Sequence, residues 1–237
     1  MPPQQRPPSP LTVLAEGSIA VTGRLPWSSN ATFLTSVALG GTTLAAVYKP
    51  LRGERPLWDF PGGLYTREVA AYRVSEALGW RRVPETIARD DGPLGPGSLQ
   101  RFVPSDFTQH YFTLIDNVAH HDALRTIAVL DLVLNNADRK AGHCLLGNDG
   151  QVWAIDNGLS FHVAPKLRTV IWDFAGDEVP AALASDLERL VAAPPDLNGL
   201  IGEAERAALV RRAAAVARMG TLPDPDPERR PYPWPMV

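Results

Sequence analysis

Asn135-Asn136-Ala137-Asp138-Arg139-Lys140-Ala141-Gly142-His143 and, one hairpin later, Ile155-Asp156-Asn157-Gly158 are the segments whose reading decides the fold. The first leaves an apolar helical pattern, His121 to Asn135, in which Leu124, Ile127, Ala128, Leu130 and Leu134 recur near helical spacing. Between the segments, His143-Cys144-Leu145-Leu146 and Gln151-Val152-Trp153-Ala154-Ile155 flank Gly147-Asn148-Asp149-Gly150, a strong hairpin turn. Asp and Gly are ordinary turn residues, so either aspartate alone reads as a turn. Together, one carboxylate before a hairpin and one just after it can face one cleft.

Phosphoryl transfer uses such a pair, one carboxylate for the acceptor and one for the metal on the nucleotide phosphates. In the protein-kinase pattern an Asn stands five residues after the catalytic Asp, and Asp-Phe-Gly follows. Here His143 takes the Asn position and Asp156-Asn157-Gly158 stands where Asp-Phe-Gly would.

Upstream, the chain reads as strands over 18–24, 31–37 and 43–49, with Gly40-Gly41 as a hairpin signal. Lys49 ends the third strand, where burial is costly without an anion. Glu68, on a helix expected from Thr66 to Leu78, is its candidate partner. Ser28, Ser29 and Asn30, between the first two strands, have side chains and N–H groups suited to a phosphate-binding loop. A strand over 98–103 follows: the backbone of Gln100-Arg101-Phe102-Val103 is a candidate to meet an adenine edge, and Phe102 or Leu145 to pack the ring. Helices are expected over 181–193 and 203–219. Strands first and helices afterwards is an α+β order, predicting a bilobal, atypical protein-kinase-like fold with a β-rich first lobe and a mainly helical second lobe. The expected division is a disordered Pro-rich start at 1–10, lobes at 11–103 and 104–220, and an extended or disordered Pro-rich tail at 221–237.

Composition is that of an ordinary globular chain: of 237 residues, 45% are hydrophobic and 21% charged. A formal net charge of −3 gives no general pull toward nucleic acid. Cys144 is the one cysteine, so no intrachain disulfide forms, as suits a reducing compartment. No secretory signal and no apolar run of bilayer length is visible, so a cytoplasmic protein without integral membrane association is expected. His120-His121 reads as a helix cap, and no cluster has zinc spacing.

Six segments in order resemble the phosphatidylinositol 3-/4-kinase-related superfamily, nearest the type II phosphatidylinositol 4-kinases and a bacterial family grouped with them. They are Val47-Tyr48-Lys49-Pro50, Arg67-Glu68-Val69-Ala70-Ala71-Tyr72, Val83-Pro84-Glu85-Thr86, Gln100-Arg101-Phe102-Val103-Pro104, Asn136-Ala137-Asp138-Arg139 and Ile155-Asp156-Asn157-Gly158-Leu159. The resemblance implies transfer from ATP with Mg²⁺ or Mn²⁺ to a protein, lipid or small-molecule hydroxyl. It makes Lys49 the phosphate lysine, Asp138 catalytic with Arg139 beside it, and Asp156 a metal ligand. HipA-type kinases share this loop more distantly. His143 departs from the family's Asn and suits Mn²⁺ better than Mg²⁺. That departure motivates the rival reading, an ATP-binding pseudokinase or regulatory module.

Overall fold

Gly40 and Gly41 both have positive φ, 55° and 82°, the backbone of a two-residue hairpin turn that side chains resist. They join β2 (Phe33–Leu39) to β3 (Thr42–Pro50) in the computed structural model, which describes residues 7–25 and 30–237. The chain divides into two compact units, the first comprising residues up to Val69 with Glu85–Phe102, the second Ala70–Pro84 with Val103–Val237.

In the first unit, β1 (Ser18–Arg24), β2, β3, β4 (Thr86–Arg89) and β5 (Gly97–Arg101) form one antiparallel sheet in the order β1-β2-β3-β5-β4. A short helix, α1 (Pro10–Glu16), packs on one face, where Val13 and Leu14 meet Val37, Ala46, Tyr48 and Leu99. Ser9 caps it by accepting from Thr12 N–H at 3.2 Å, and Pro10 occupies the first turn, where its missing donor does no harm. Gly17 lets the helix end press on the sheet, since a Cβ there would lie 2.6 Å from Val37 Cγ1. Seven residues show too little periodicity to announce a helix, so the expected disordered start gives way to ordered helix at Pro10.

The second unit is mainly helical. α2 (Leu64–Ala77) starts in the first unit and continues into the second. α3 (Tyr111–Leu114) and α4 (His121–Leu134) follow, then the hairpin of β6 (Cys144–Leu146) and β7 (Val152–Ala154), and finally α5 (Ala181–Ala192) and α6 (Glu203–Ala217). The apolar stripe of α4, Leu124, Ile127, Leu130 and Leu134, is fully buried with Phe161, Leu187 and Leu209 in this unit's core. Burying each such side chain contributes roughly 1.5–3 kcal/mol. Asn135 stops the helix in the left-handed region at φ 56° and holds the next turn: its Nδ2 donates to His162 O and Ala164 O, both at 2.8 Å. The observed α+β order is the one read from the sequence.

The segment 221–237, expected to be extended or disordered, is extended over much of its length and docked. Leu222 is buried in the core, Gly176 N–H donates to Leu222 O at 3.0 Å, and Thr169 N–H donates to Pro231 O at 2.9 Å. Proline lacks a donor but keeps its carbonyl, so a proline-rich strap can still accept hydrogen bonds.

Candidate functional site

In the first unit, alternation along β3 sends Tyr48 and Ala46 to the α1 side and Lys49 to the opposite face of the sheet. There Lys49 Nζ forms an ion pair with Glu68 of α2. Glu68 is only 3% exposed and the lysine side chain 21%, so the pair is largely removed from water and its partners depend on each other.

Of the other expected nucleotide contacts in this unit, Ser28 and Ser29 lie outside the described residues. Asn30 is spent locally, its Oδ1 accepting from Arg55 N–H at 3.0 Å. β5 is an interior strand, and Gln100 is paired in register with Val47 on one side and Thr86 on the other. Its side-chain amide donates to Thr86 Oγ1 at 2.8 Å. Phe102 is half-buried, with its N–H on Ala45 O at 3.0 Å.

In the second unit the catalytic-loop candidates separate into two layers. Arg139 has no exposed surface. Its Nε and Nη2 clasp Asp131, at 2.9 Å for the closest contact, while Nη1 donates to Ile155 O at 2.6 Å and Nη2 to Asn157 Oδ1 at 2.5 Å. Asp131 also accepts from Asn136 Nδ2 at 3.1 Å and Thr169 Oγ1 at 3.3 Å. Burial drives the Asp131 carboxyl up, opposed by Arg139, Asn136 and Thr169. Burial works against the guanidinium charge most strongly of any single cause, but Asp131, Cys144 and Asp156 together hold Arg139 above its ordinary value. The catalytic role expected for Arg139 is therefore corrected: a side chain wholly enclosed by protein positions its neighbours and touches no substrate.

The second layer is open. Asp138 stands between fixed points, its N–H on Asn136 Oδ1 at 2.9 Å and its C=O 2.9 Å from His143 Nδ1. Its carboxylate, about a quarter exposed, lies 3.3 Å from Lys140 Nζ. Burial raises the Asp138 carboxyl to about 6, with Lys140 pulling down and Asp156 pushing up. Asp156 adopts a left-handed backbone, φ 57°, that few side chains accept. That turn leaves its carboxylate half exposed, with Oδ2 3.4 Å from His143 Nε2. In the tautomer whose Nδ1–H donates to the Asp138 carbonyl, Nε2 would offer a lone pair on the side of the Asp156 carboxylate. Leu145 is buried in β6 opposite Trp153.

Sequence reading passed over Asp131, Asn136 and Lys140. Alternation in extended backbone was the missed signal for Lys140, since it places residues 138 and 140 on one side and 139 on the other. Asp131 is hidden inside an apolar helix, where no turn chemistry marks it.

The model of the family Phosphatidylinositol 3- and 4-kinase matches residues 71–219. Protein Rv2133c of Mycobacterium tuberculosis is 44% identical over 262 residues, covering 94% of each chain. The chain belongs to the phosphatidylinositol 3- and 4-kinase family, a group of phosphotransferases. Solved structures similar to it include hydra Fam20 with sugar (TM-score 0.48, 16% identity, 86% of each chain covered) and the Helicobacter pylori proinflammatory kinase CtkA (TM-score 0.48, 12% identity, 86% of this chain and 92% of that one). Lys49 and Glu68 precede the matched span. No helix among the described residues is long and apolar enough to cross a membrane.

Proposed function

We propose that this protein is an ATP- and divalent-metal-dependent phosphotransferase that phosphorylates a hydroxyl on a protein, lipid or small molecule. The observation that carries the reading is the open layer of the second unit. It holds a backbone-locked Asp138 beside Lys140 and a turned-out Asp156 beside His143. Asp138 orients the acceptor hydroxyl and takes its proton, while Lys140 keeps that carboxylate charged. Lys49, steadied by Glu68, neutralises phosphate charge, so catalysis is positioning plus electrostatics.

Asp156 and His143 would hold the metal ion. Among the described residues no three His, Cys, Asp or Glu side chains are grouped as a metal site. One carboxylate and one imidazole fit an ion that takes its remaining ligands from phosphate oxygens and water, and the imidazole favours Mn²⁺ over Mg²⁺. Bound there, the ion would screen the phosphate charge.

The test is incubation with γ-labelled ATP and Mg²⁺ or Mn²⁺, following label release or transfer. Wild type should turn over, faster with Mn²⁺, and Lys49→Met should not. A second reading, a nucleotide-binding regulator, is favoured by the direct contact of His143 with Asp156. It predicts a thermal shift with metal–ATP but no release or transfer under either metal, in wild type and in His143→Asn alike.

A further inference from the structure

The segment after α6 bears on the catalytic loop from two sides. Residues 168–170 run beside that loop: Arg168 N–H donates to Asn136 O at 2.9 Å, Arg139 N–H to Arg168 O at 3.0 Å and Val170 N–H to Arg139 O at 3.1 Å. Extended backbone turns successive N–H groups to opposite sides, so Thr169 N–H points away from the loop. It lands on Pro231 O at 2.9 Å, which also accepts from Trp172 Nε1 at 3.3 Å. Further along, Met236 O accepts from Ala141 N–H at 2.7 Å, inside the turn between Asp138 and His143.

Ala141 is fully buried and opens the short 3₁₀ turn Ala141–His143, where its N–H has no partner within the turn. Met236 O satisfies that donor, as buried N–H groups in folded proteins require. The strap is suited to the task. Pro231 and Pro233 restrict the backbone before docking and so reduce the entropy lost on ordering.

We propose that Pro231–Met236 is a positioning element for Asp138, clamping the catalytic loop from behind through Thr169 and from within through Ala141. The proposal rests on the reading of Asp138 as the carboxylate that orients the acceptor. The clamp fixes the turn whose His143 ring meets the Asp138 carbonyl, so releasing it leaves the carboxylate present but misaimed.

The test uses the full chain. Ala141→Pro deletes one donor with little other strain, because Lys140, at φ −84° and ψ 163°, already has the extended backbone a residue before proline needs. Ala141→Ser keeps the N–H and serves as the conservative rescue. Trp172→Phe removes the side-chain donor to Pro231 and leaves the Thr169 N–H. Amide hydrogen exchange at His143 and Thr169 is measured together with kcat and KM for ATP. Ala141→Pro should speed exchange at both amides at least tenfold and lower kcat about 10- to 100-fold with KM for ATP unchanged, while Ala141→Ser behaves as wild type. Unchanged exchange, or unchanged kcat in a variant with faster exchange, overturns the proposal. If Ala141→Pro does not fold, Trp172→Phe decides: unchanged exchange at Thr169 overturns the clamp and faster exchange supports it. A wild type without phosphoryl transfer refutes the proposed function instead, and exchange then decides the clamp alone.

Discussion

Asp138 and Arg139 are neighbours in sequence and opposites in environment. Arg139 is enclosed, every arm of its guanidinium answered by Asp131, Asn157 or the Ile155 carbonyl. Asp138 is partly open, its backbone pinned while its carboxylate, about a quarter exposed, pairs with Lys140. The same division separates Asn157, buried, from Asp156, half exposed. Each short motif thus gives one side chain to a closed frame and one to an open face. The closed layer sets the shape and the open layer keeps its carboxylates partly exposed to solvent.

The largest expected effect of breaking this contrast falls on the closed side. Asp131→Ala leaves a buried guanidinium without its carboxylate, and chemical denaturation should show a loss of about 3–5 kcal/mol. A loss below about 1 kcal/mol would mean that the enclosed layer is not the frame.

The open side should respond with the opposite sign. The Asp138 carboxyl is raised from 3.8 to about 6, so the folded chain holds its proton more tightly than the unfolded chain. The stability this contributes is present below about pH 4 and is lost as pH rises through about 6. Metal- and nucleotide-free Asp138→Asn should therefore be more stable than wild type at pH 7.5, by about 1–3 kcal/mol, with the difference shrinking toward pH 4. Paired thermal melts at the two pH values measure it, and a variant less stable than wild type at pH 7.5 contradicts it.

Smaller effects sharpen the picture within the open layer. His143→Asn exchanges an imidazole for an amide oxygen, so the ratio of Mn²⁺- to Mg²⁺-supported nucleotide binding should fall by about tenfold, read by calorimetry. The least change is expected from Lys140→Ala. Removing a charge that pulls the Asp138 carboxyl down should move the acid limb of the pH–rate profile upward by a fraction of a pH unit, with the plateau within a few-fold of wild type.

Much of the frame was legible because its signals are local. The Gly40-Gly41 turn, the stripe on α4 and the Gly147–Gly150 hairpin are written in adjacent residues, and the element order follows from them. What stayed hidden depends on distant partners. α1 is too short for periodicity and exists because Val13 and Leu14 find a sheet to cover. The docking of the strap at 221–237 was hidden because proline-rich composition reports missing donors and says nothing of the buried N–H groups it meets elsewhere. For the site, the family resemblance supplied Asp138, Asp156 and Lys49, and burial corrected Arg139. A one-letter motif does not record which side of the backbone a residue takes, and that side separates a frame residue from a working one.

The most direct measurement compares label transfer from γ-labelled ATP with Mn²⁺ by wild type and by Asp138→Asn, with the Mn²⁺–ATP thermal shift taken on the same samples. The expected result is turnover reduced about 10²–10⁴-fold with the thermal shift retained. Turnover equal to wild type in the variant would contradict Asp138 as the acceptor-orienting carboxylate.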